Sequence, residues 1–389
     1  MITISKVASR IEPSLTRKLF NKAKEYDDVI DFTLGDPDVP TPNGIKEAGC
    51  KAIMDGKTRY SQNAGLKELR DTIHSYYLQK EGLDYCADNE MIVTVGAMEG
   101  LYLALLAILD DGDEVLIPAP YYVNYRQMVG MCHATPVIVE DEKDGSLCGI
   151  QAIKAAITSK TKAIILNTPC NPTGRVMPMS LIEEIAKLAV EHNLVVIADE
   201  VYKCLIYGDE KFRSIVHIDG MRERTILVNS LSKEFCMTGW RLGYVLAPQE
   251  VVASMIKLQE NICACAPLPS QYAAIEALQI DKKYSSEMVS VFGKRKEAIV
   301  EELQKINGIT FIEPEATFYI LVDISKTGLR SEQFAYALLD AVHVAVVPGV
   351  TYGKMCDRYV RIAFTLKEAK IREGIRRMKT FVDNLNITH

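Results

Sequence analysis

Lys233 is the residue of this 389-residue sequence whose surroundings most suggest covalent chemistry. It follows the apolar segment 225–230 and comes shortly before Trp240, the one tryptophan of the sequence. A lysine in an apolar pocket loses its proton more readily than an exposed one and can form a Schiff base with a carbonyl compound. A single lysine is by itself more typical of a solvated surface, so the residues near it decide between the two interpretations.

Other polar residues also follow apolar segments. Asp199 ends the segment 195–199, and taken alone it could lie at a solvent edge or in a buried pair. Asn171 lies in a Pro- and Gly-rich stretch that is by itself typical of a turn. Gly96 precedes a helix whose first amides could bind phosphate, although an isolated glycine more often marks a plain turn. A lysine, an aspartate, an asparagine, a possible phosphate-binding helix start and Arg241, taken together, favour pyridoxal phosphate (PLP) chemistry.

The elements that carry these residues alternate between strands and helices. Short apolar runs predict strands at 91–95, 114–118, 135–140, 162–167, 195–199 and 225–230. Helical spacing appears at 98–109 and at 180–193, where Ser180 and Glu183 form a capping-box pattern. We therefore predict an α/β fold with a mainly parallel seven-stranded type of sheet flanked by helices, and ligands at the carboxyl ends of its strands.

The C-terminal part has a different pattern. A long helix over about 271–305 precedes two strands within 309–324, a helix at 331–341 and a last helix, which predicts a smaller α+β domain. We expect residues 1–44 to pack with this small domain, residues 45–280 to form the large cofactor-binding domain, and residues 281–389 to form the small one.

Composition excludes several classes of function. The sequence is 48% hydrophobic and 25% charged with a net charge of −6, which is typical of a globular protein and disfavours nucleic-acid or membrane binding. No apolar run approaches the ~18 residues of a membrane helix, and the first residues lack a secretory signal pattern. Ten cysteines without metal-site spacing suggest reduced thiols and no metal. We therefore expect a cytoplasmic protein.

Three motifs in order identify a family resemblance. They are Asn-Pro-Thr-Gly at 171–174, Ala-Asp-Glu-Val-Tyr at 198–202, and Ser-Leu-Ser-Lys at 230–233 followed by Arg241. The sequence resembles the class I/II PLP-dependent aminotransferases of fold type I along nearly its whole length. The glycine fingerprints of dinucleotide and nucleoside-triphosphate sites are absent from the sequence, which disfavours a nicotinamide dehydrogenase.

The resemblance implies a role for each residue near the cofactor ring. Lys233 would hold PLP as a Schiff base and then move a proton between the substrate Cα and the cofactor C4′. Asp199 would pair with the pyridine nitrogen and keep it protonated. Tyr202 and Asn171 would hydrogen-bond the 3′-oxygen, and Tyr122, or else its neighbour Tyr121, would stack on the ring.

The resemblance also implies a phosphate site and a dimer. The residues that would hold the phosphate are Gly96, Ala97, Met98, Ser230, Ser232 and Arg241. Tyr60 would reach the phosphate of the other subunit, so that the active unit would be a homodimer with shared sites.

For the substrate, the resemblance implies an amino acid and a 2-oxo acid. Arg361 would bind the α-carboxylate, with Asn171 and the backbone of Gly35 close by. Met98 occupies a position where some aspartate-using relatives have a lysine. We expect it to form a broad apolar pocket, with Ile11, Leu15 and Phe318 as further lining residues, for neutral or aromatic donors as well as aspartate and for 2-oxoglutarate or pyruvate as acceptor.

Two alternatives remain at this point. Carbon–sulfur β-lyases and aminocyclopropane-carboxylate synthases use the same lysine, aspartate, tyrosine and arginine but eject a leaving group from the substrate. A regulator that only senses PLP is a remote alternative, because such proteins carry a basic DNA-binding module that we do not find here. One departure from close relatives is Glu234, where a small residue is more usual after the lysine.

Overall fold

The computed structural model of the protein describes residues 2–141, 147–208 and 212–387. Its strands are β1 (Ile30–Asp31), β2 (Met91–Thr94), β3 (Glu114–Pro118), β4 (Thr135–Val139), β5 (Thr161–Asn167), β6 (Val195–Asp199), β7 (Thr225–Ser230), β8 (Gly243–Leu246), β9 (Thr310–Ile312), β10 (Tyr319–Asp323), β11 (Val344–Ala345), β12 (Val347–Pro348) and β13 (Tyr359–Ala363).

The α-helices cover the sheets and connect their strands. They are α1 (Lys6–Arg10), α2 (Leu15–Ala23), α3 (Asn43–Met54), α4 (Lys67–Glu81), α5 (Gly96–Ile108), α6 (Asn124–Met131), α7 (Ile150–Ala156), α8 (Met179–Glu191), α9 (Leu231–Glu234), α10 (Gln249–Ile262), α11 (Leu268–Leu303), α12 (Ser331–Val342) and α13 (Glu368–Ile387). Short 3₁₀ turns span Ile215–His217, Thr238–Trp240, Ser325–Thr327, Gly349–Tyr352 and Lys354–Arg358. No helix in these described ranges is long and apolar enough to cross a membrane.

A seven-stranded sheet forms the centre of the molecule, in the order β2-β8-β7-β6-β5-β3-β4. The neighbours from β4 to β7 are parallel, whereas β8 is antiparallel to both β2 and β7. The fold class predicted from the apolar runs is therefore confirmed. The central strands are buried on both faces because helices cover both, which explains their continuous apolar sequences.

A second, antiparallel sheet with the order β12-β13-β10-β9 lies in the C-terminal part. Strands β9 and β10 are the two that we expected within 309–324. The N-terminal strand β1 pairs with β11, and Leu19 and Phe32 are buried in the same cluster as Ile320 and Ile362. The division into three domains stays a prediction, and its boundary at residue 280 falls inside α11.

Two helix starts differ from the sequence prediction. The chain is extended at Pro178 and α8 begins immediately after it, so Ser180 is already inside the first turn and forms no cap hydrogen bond. The predicted capping box at Ser180 and Glu183 is therefore wrong. Helix α5 begins at Gly96 rather than at Met98, because Gly96 adopts a φ of +76° that turns the chain directly from β2 into the helix.

Candidate active site

A cavity of about 380 Å³ opens at the carboxyl ends of β5, β6 and β7. Most of the candidate residues from different parts of the chain line this one cavity. They are Gly35, Ala97, Met98, Tyr122, Asn171, Asp199, Tyr202, Ser230, Ser232, Lys233, Arg241 and Arg361. The position agrees with the rule that ligands of parallel sheets bind beyond the carboxyl ends of the strands.

Asp199, the last residue of β6, is a buried acid that faces the cavity and is 4% exposed. The Tyr125 hydroxyl donates to its Oδ2 at 2.5 Å, and the Val201 amide donates to its Oδ1 at 3.4 Å. Burial raises the pKa of Asp199 to about 6, although both hydrogen bonds lower it. Within the described ranges no basic side chain pairs with Asp199, so a cationic ligand in the cavity would be strongly favoured.

Two asparagines connect the strand ends to the opposite wall. Asn167, the last residue of β5, donates through Nδ2 to the Asp199 carbonyl at 3.1 Å and accepts the Asn171 amide at 2.9 Å. The Asn171 side chain in turn accepts a hydrogen bond from Nη1 of Arg361 at 3.0 Å. These hydrogen bonds hold the Asn171 side chain between Asp199 and Arg361.

Arg361 on β13 is a buried cation, 5% exposed, without an acidic partner in the described part of the chain. Its Nη2 donates to the Thr33 carbonyl at 2.5 Å, and its guanidinium carbon lies 4.3 Å from the centre of the Tyr319 ring. Its Nε is buried and has no hydrogen-bond partner among the described residues. A planar guanidinium in this state is suited to bidentate binding of a carboxylate.

Lys233 is part of the four-residue helix α9, which directly follows β7. Its Nζ donates to the Gly35 carbonyl at 2.7 Å. A Cβ at Gly35 would lie 1.7 Å from the Tyr319 hydroxyl, so no side chain fits there. The absence of a side chain thus allows the backbone to approach both Tyr319 and the lysine.

Aromatic hydroxyls complete the wall around Lys233. The hydroxyls of Tyr202 and Tyr319 lie 3.1 Å apart, and burial raises the pKa of Tyr202 well above its ordinary value, which keeps it a hydrogen-bond donor. Tyr122 lines the cavity, with its pKa raised by burial to about 12, whereas Tyr121 lies outside the cavity lining. Of the two tyrosines considered for ring stacking, Tyr122 is the one that faces the cavity.

A further group of lining residues carries donors for an anion. The hydroxyls of Ser230 and Ser232 lie 2.8 Å apart, and Arg241 adopts a left-handed conformation with φ of 53°. Its guanidinium donates to the Thr238 carbonyl at 3.0 Å. A Cβ at Gly96 would lie 2.6 Å from Nη2 of Arg241, so glycine here lets the arginine approach the first turn of α5.

Several sequence predictions differ from this arrangement. Gly96 lies behind Arg241 rather than in the cavity lining. Tyr60 is 86% exposed and outside the cavity lining of its own chain, and its assignment to the site of the other subunit stays a prediction. Ile11 and Leu15 line a neighbouring surface cavity that Met98 also lines, so their part in the substrate pocket stays a prediction. Phe318 is buried against the Tyr202 ring and lines neither cavity, so our expectation for this residue is wrong. The residues of the N-terminal segment that line it are Ser14, Thr16 and Arg17.

Sequence reasoning missed three tyrosines of the site. Tyr125 contacts Asp199 from 74 residues away, and no local pattern could pair them. Tyr319 ends the Ala-Thr-Phe-Tyr stretch and is the first residue of β10, where an aromatic residue is equally typical of a core. Tyr352 lines the cavity at 1% exposure, with its ring centre 5.3 Å from the Arg361 guanidinium.

Comparisons with known proteins agree with this geometry. Residues 27–378 match the family model described as aminotransferase class I and II. The chain is 40% identical over 381 residues to an aspartate aminotransferase of Pyrococcus abyssi, covering 97% of this chain and 98% of the relative.

Solved structures give the same result. An aromatic aminotransferase from Pyrococcus horikoshii is 39% identical, with a TM-score of 0.89 and coverage of 95% of this chain and 100% of the other. The Thermus thermophilus aspartate aminotransferase with maleate is 33% identical, with a TM-score of 0.92 and coverage of 98% and 100%. The resemblance inferred from the three motifs is thereby confirmed: this chain belongs to the class I and II aminotransferase family and is a transferase of amino groups.

Proposed function

We propose that the cavity binds PLP, that Lys233 is its covalent attachment point, and that the enzyme moves an amino group between an L-amino acid and a 2-oxo acid. The observation that carries the proposal is that one cavity contains both Lys233 and the buried Asp199, which has no basic partner within the described ranges. Asp199 needs a cationic partner, and a protonated pyridine nitrogen fits that need. When bound, PLP supplies an electron-accepting ring for the carbanion at the substrate Cα.

The remaining donors fit the rest of the cofactor. Ser230, Ser232 and Arg241, with the first amides of α5 at Ala97, would hold the phosphate. Tyr202 stays protonated because it is buried, and together with Asn171 it would donate to the 3′-oxygen. Tyr122 would cover one face of the ring.

Lys233 and Arg361 would act on the substrate. Arg361 has a buried Nε without a partner, so an incoming α-carboxylate could bind without displacing an internal ion pair. Once the substrate amine has replaced Lys233 on the cofactor, Lys233 Nζ would take the proton from the substrate Cα and return it to the cofactor C4′. The present acceptor of Lys233 Nζ is the uncharged Gly35 carbonyl. Breaking this hydrogen bond for the proton transfer therefore leaves no charged side chain without a partner.

The proposed donor range is broad. Met98 lines the cavity, where the Tyr122 hydroxyl lies 3.6 Å from its sulfur, and it offers an apolar, flexible surface to a neutral or aromatic side chain. The relatives described above include both an aspartate and an aromatic aminotransferase. We expect 2-oxoglutarate or pyruvate as acceptor.

The proposed active unit is a homodimer. Tyr60 is 86% exposed and outside the cavity of its own chain, which suits a role in the site of a second copy. Within each subunit we retain the division into residues 1–44, 45–280 and 281–389, in which the first segment packs on the small domain.

The test is a half-reaction panel on the PLP-loaded protein. Each amino acid is mixed with the enzyme, and the loss of the cofactor's absorbance band is followed as the amine form of the cofactor appears. Lys233→Ala should lose almost all turnover, whereas Lys187→Ala, on the exposed face of α8, should match wild type. Borohydride should fix the cofactor to the peptide that contains Lys233. Labelling of another lysine, or elimination products in place of a 2-oxo acid, would contradict the proposal.

A further inference from the structure

The segment 59–66, between α3 and α4, combines an exposed side chain with a firmly held backbone. Tyr60 is 86% exposed, lies outside the cavity of its own chain, and forms no hydrogen bond with the residues that the structure describes. The residues that follow it, by contrast, are bonded by buried polar side chains from three helices. An exposed tyrosine on an ordered backbone is suited to contact with a second molecule.

Gln271, at the start of α11, bonds this segment at two points and is fully buried. Its Oε1 accepts the Leu66 amide at 2.7 Å, and its Nε2 donates to the Ser61 hydroxyl at 3.1 Å and to the Ala266 carbonyl at 2.8 Å. A Cβ at Gly65 would lie 3.2 Å from Oε1 of Gln271, so glycine lets the segment fold closely around this amide. One side chain thus joins the residue after Tyr60 to the end of the segment.

Two further buried side chains hold the middle of the segment. Gln259 on α10 is fully buried, and its Nε2 donates to the Asn63 carbonyl at 2.8 Å and to the Val93 carbonyl of β2 at 3.0 Å. Arg70 on α4 is 5% exposed, and its Nη2 donates to the Gln62 side chain at 3.1 Å. Because unmade hydrogen bonds are costly for buried groups, these contacts restrict the backbone next to Tyr60 to one arrangement.

The residue that precedes Gln271 contacts a different part of the molecule. The Ser270 hydroxyl donates to the Trp240 carbonyl at 2.8 Å. Trp240 immediately precedes Arg241, which lines the cavity of this chain in a left-handed conformation with φ of 53°. Such a conformation persists only where the surrounding structure holds it. Consecutive residues of α11 therefore hold the backbone beside Arg241 and the backbone beside Tyr60.

We propose that the start of α11 positions phosphate ligands of two active sites. Ser270 acts on the site of its own subunit through Arg241, and Gln271 acts on the site of the partner subunit through Tyr60. Both are positioning residues, because neither lines the cavity. The inference rests on the proposed homodimer with shared sites and adds that cofactor binding in one subunit depends on a buried amide of the other.

The first test is a double-mutant cycle in the homodimer. Gln271→Met keeps the length of the side chain but removes its amide, so the Leu66 amide loses its acceptor. Gln271→Met and Tyr60→Ala should each weaken PLP binding at least tenfold, measured by equilibrium dialysis of the loaded enzyme. The double variant should bind PLP within twofold of Tyr60→Ala alone, because both changes remove the same contact. Losses that multiply, or no loss in Gln271→Met, would overturn the proposal.

The second test uses hybrid dimers in which one subunit carries Lys233→Ala, so that activity comes from the site of the other subunit. The apparent PLP affinity of that site is read from activity against PLP concentration. Gln271→Met in the active subunit should leave this affinity within twofold, whereas Gln271→Met in the inactive subunit should lower it about tenfold. Ser270→Ala is the matched control on the same helix and should show the reverse dependence.

The outcomes separate this inference from the proposed function. If the effect of Gln271→Met stays in the subunit that carries the change, its action on the partner's site is refuted. Tyr60→Ala in the same hybrids tests the shared site itself: an effect that stays in its own subunit refutes both the shared site and this inference. If Tyr60→Ala affects the partner's site and Gln271→Met does not, only the inference fails. Gln259→Met on α10 should also act on the partner's site, and it decides the question if Gln271→Met does not fold.

Discussion

Asp199 has an unusual position for an acidic residue, because the fold buries it without a cation within the described ranges. Its pKa of about 6 lies above the ordinary value of 3.8, and desolvation is the main cause. A carboxyl whose pKa is raised by folding stabilises the fold below its unfolded pKa, and that stability is lost as the pH rises through the folded pKa. The cofactor-free protein is therefore destabilised by its own site at neutral pH.

At the residue scale, Asp199→Asn should stabilise the cofactor-free protein. The shift of about two pKa units corresponds to about 2–3 kcal/mol in unfolding free energy at pH 8, and the gain should shrink to roughly half at pH 5. Denaturant unfolding of both proteins at the two pH values measures this. With PLP bound the order should reverse, because the variant loses the partner of the ring nitrogen. A gain that is identical at both pH values would show that ionisation of Asp199 is not its cause.

Helix α9 is too short to hold its own orientation, although it carries Lys233. Glu234 anchors it from behind, since its buried carboxylate accepts hydrogen bonds from Tyr76 on α4 at 3.2 Å and from Ser285 on α11 at 3.3 Å. Phe235 adds a stacked contact with the Tyr284 ring, 5.9 Å between centres. The departure from a small residue after the lysine thus has a structural explanation.

At the element scale, loss of this anchor should affect the rate more than substrate binding. Glu234→Ala should lower kcat about tenfold and change KM less than threefold, because Lys233 is misplaced while Arg361 is not. Glu234→Gln should retain most activity, since its amide oxygen can still accept from Tyr76. Steady-state kinetics on both variants, with Tyr76→Phe as an intermediate case, check this. A Gln variant as slow as the Ala variant would exclude simple anchoring.

The strands were the most predictable elements, because a run buried on both faces is apolar throughout: residues 195–199 and 225–230 match β6 and β7. Helix starts were less predictable than strands. The extended backbone at Pro178 decides where α8 begins, and the pattern of Ser180 and Glu183 does not reveal that position. Side-chain partners such as Tyr125 for Asp199 depend on distant packing that no local pattern encodes. The motif residues, by contrast, could be predicted from the sequence, because each follows the end of a predicted strand and those strand ends meet at one edge of the sheet.

At the scale of the whole molecule, the cavity collects residues from Ser14 to Arg361, so almost the entire chain must fold before the site exists. Lys233 and Arg241 line the cavity of the same chain, whereas Tyr60 does not. A shared site would therefore separate Tyr60 from these two residues in a hybrid dimer.

Mixed dimers test this separation. Lys233→Ala combined with Tyr60→Ala should regain activity toward that of one intact site per dimer, because one cavity then holds Lys233 and receives an unaltered Tyr60. Lys233→Ala combined with Arg241→Ala should regain none, since no cavity contains both residues intact. Activity is measured after denaturation and joint refolding, with hybrids separated by an affinity tag. Failure of the first pair, with hybrids present, would contradict the shared site.

The segment 33–35 contacts two of the cavity's basic side chains with backbone oxygens: the Thr33 carbonyl accepts from Arg361 and the Gly35 carbonyl from Lys233, while the intervening Leu34 carbonyl accepts from Thr365. Exchange of a side chain leaves a carbonyl in place, so an alanine scan would not report what the Thr33 and Leu34 carbonyls contribute. A substitution at Gly35 would register for a different reason, because any added Cβ meets Tyr319. A catalogue of essential residues built from substitutions alone would therefore understate the contribution of this segment, and amide-to-ester replacement in the backbone would reveal it.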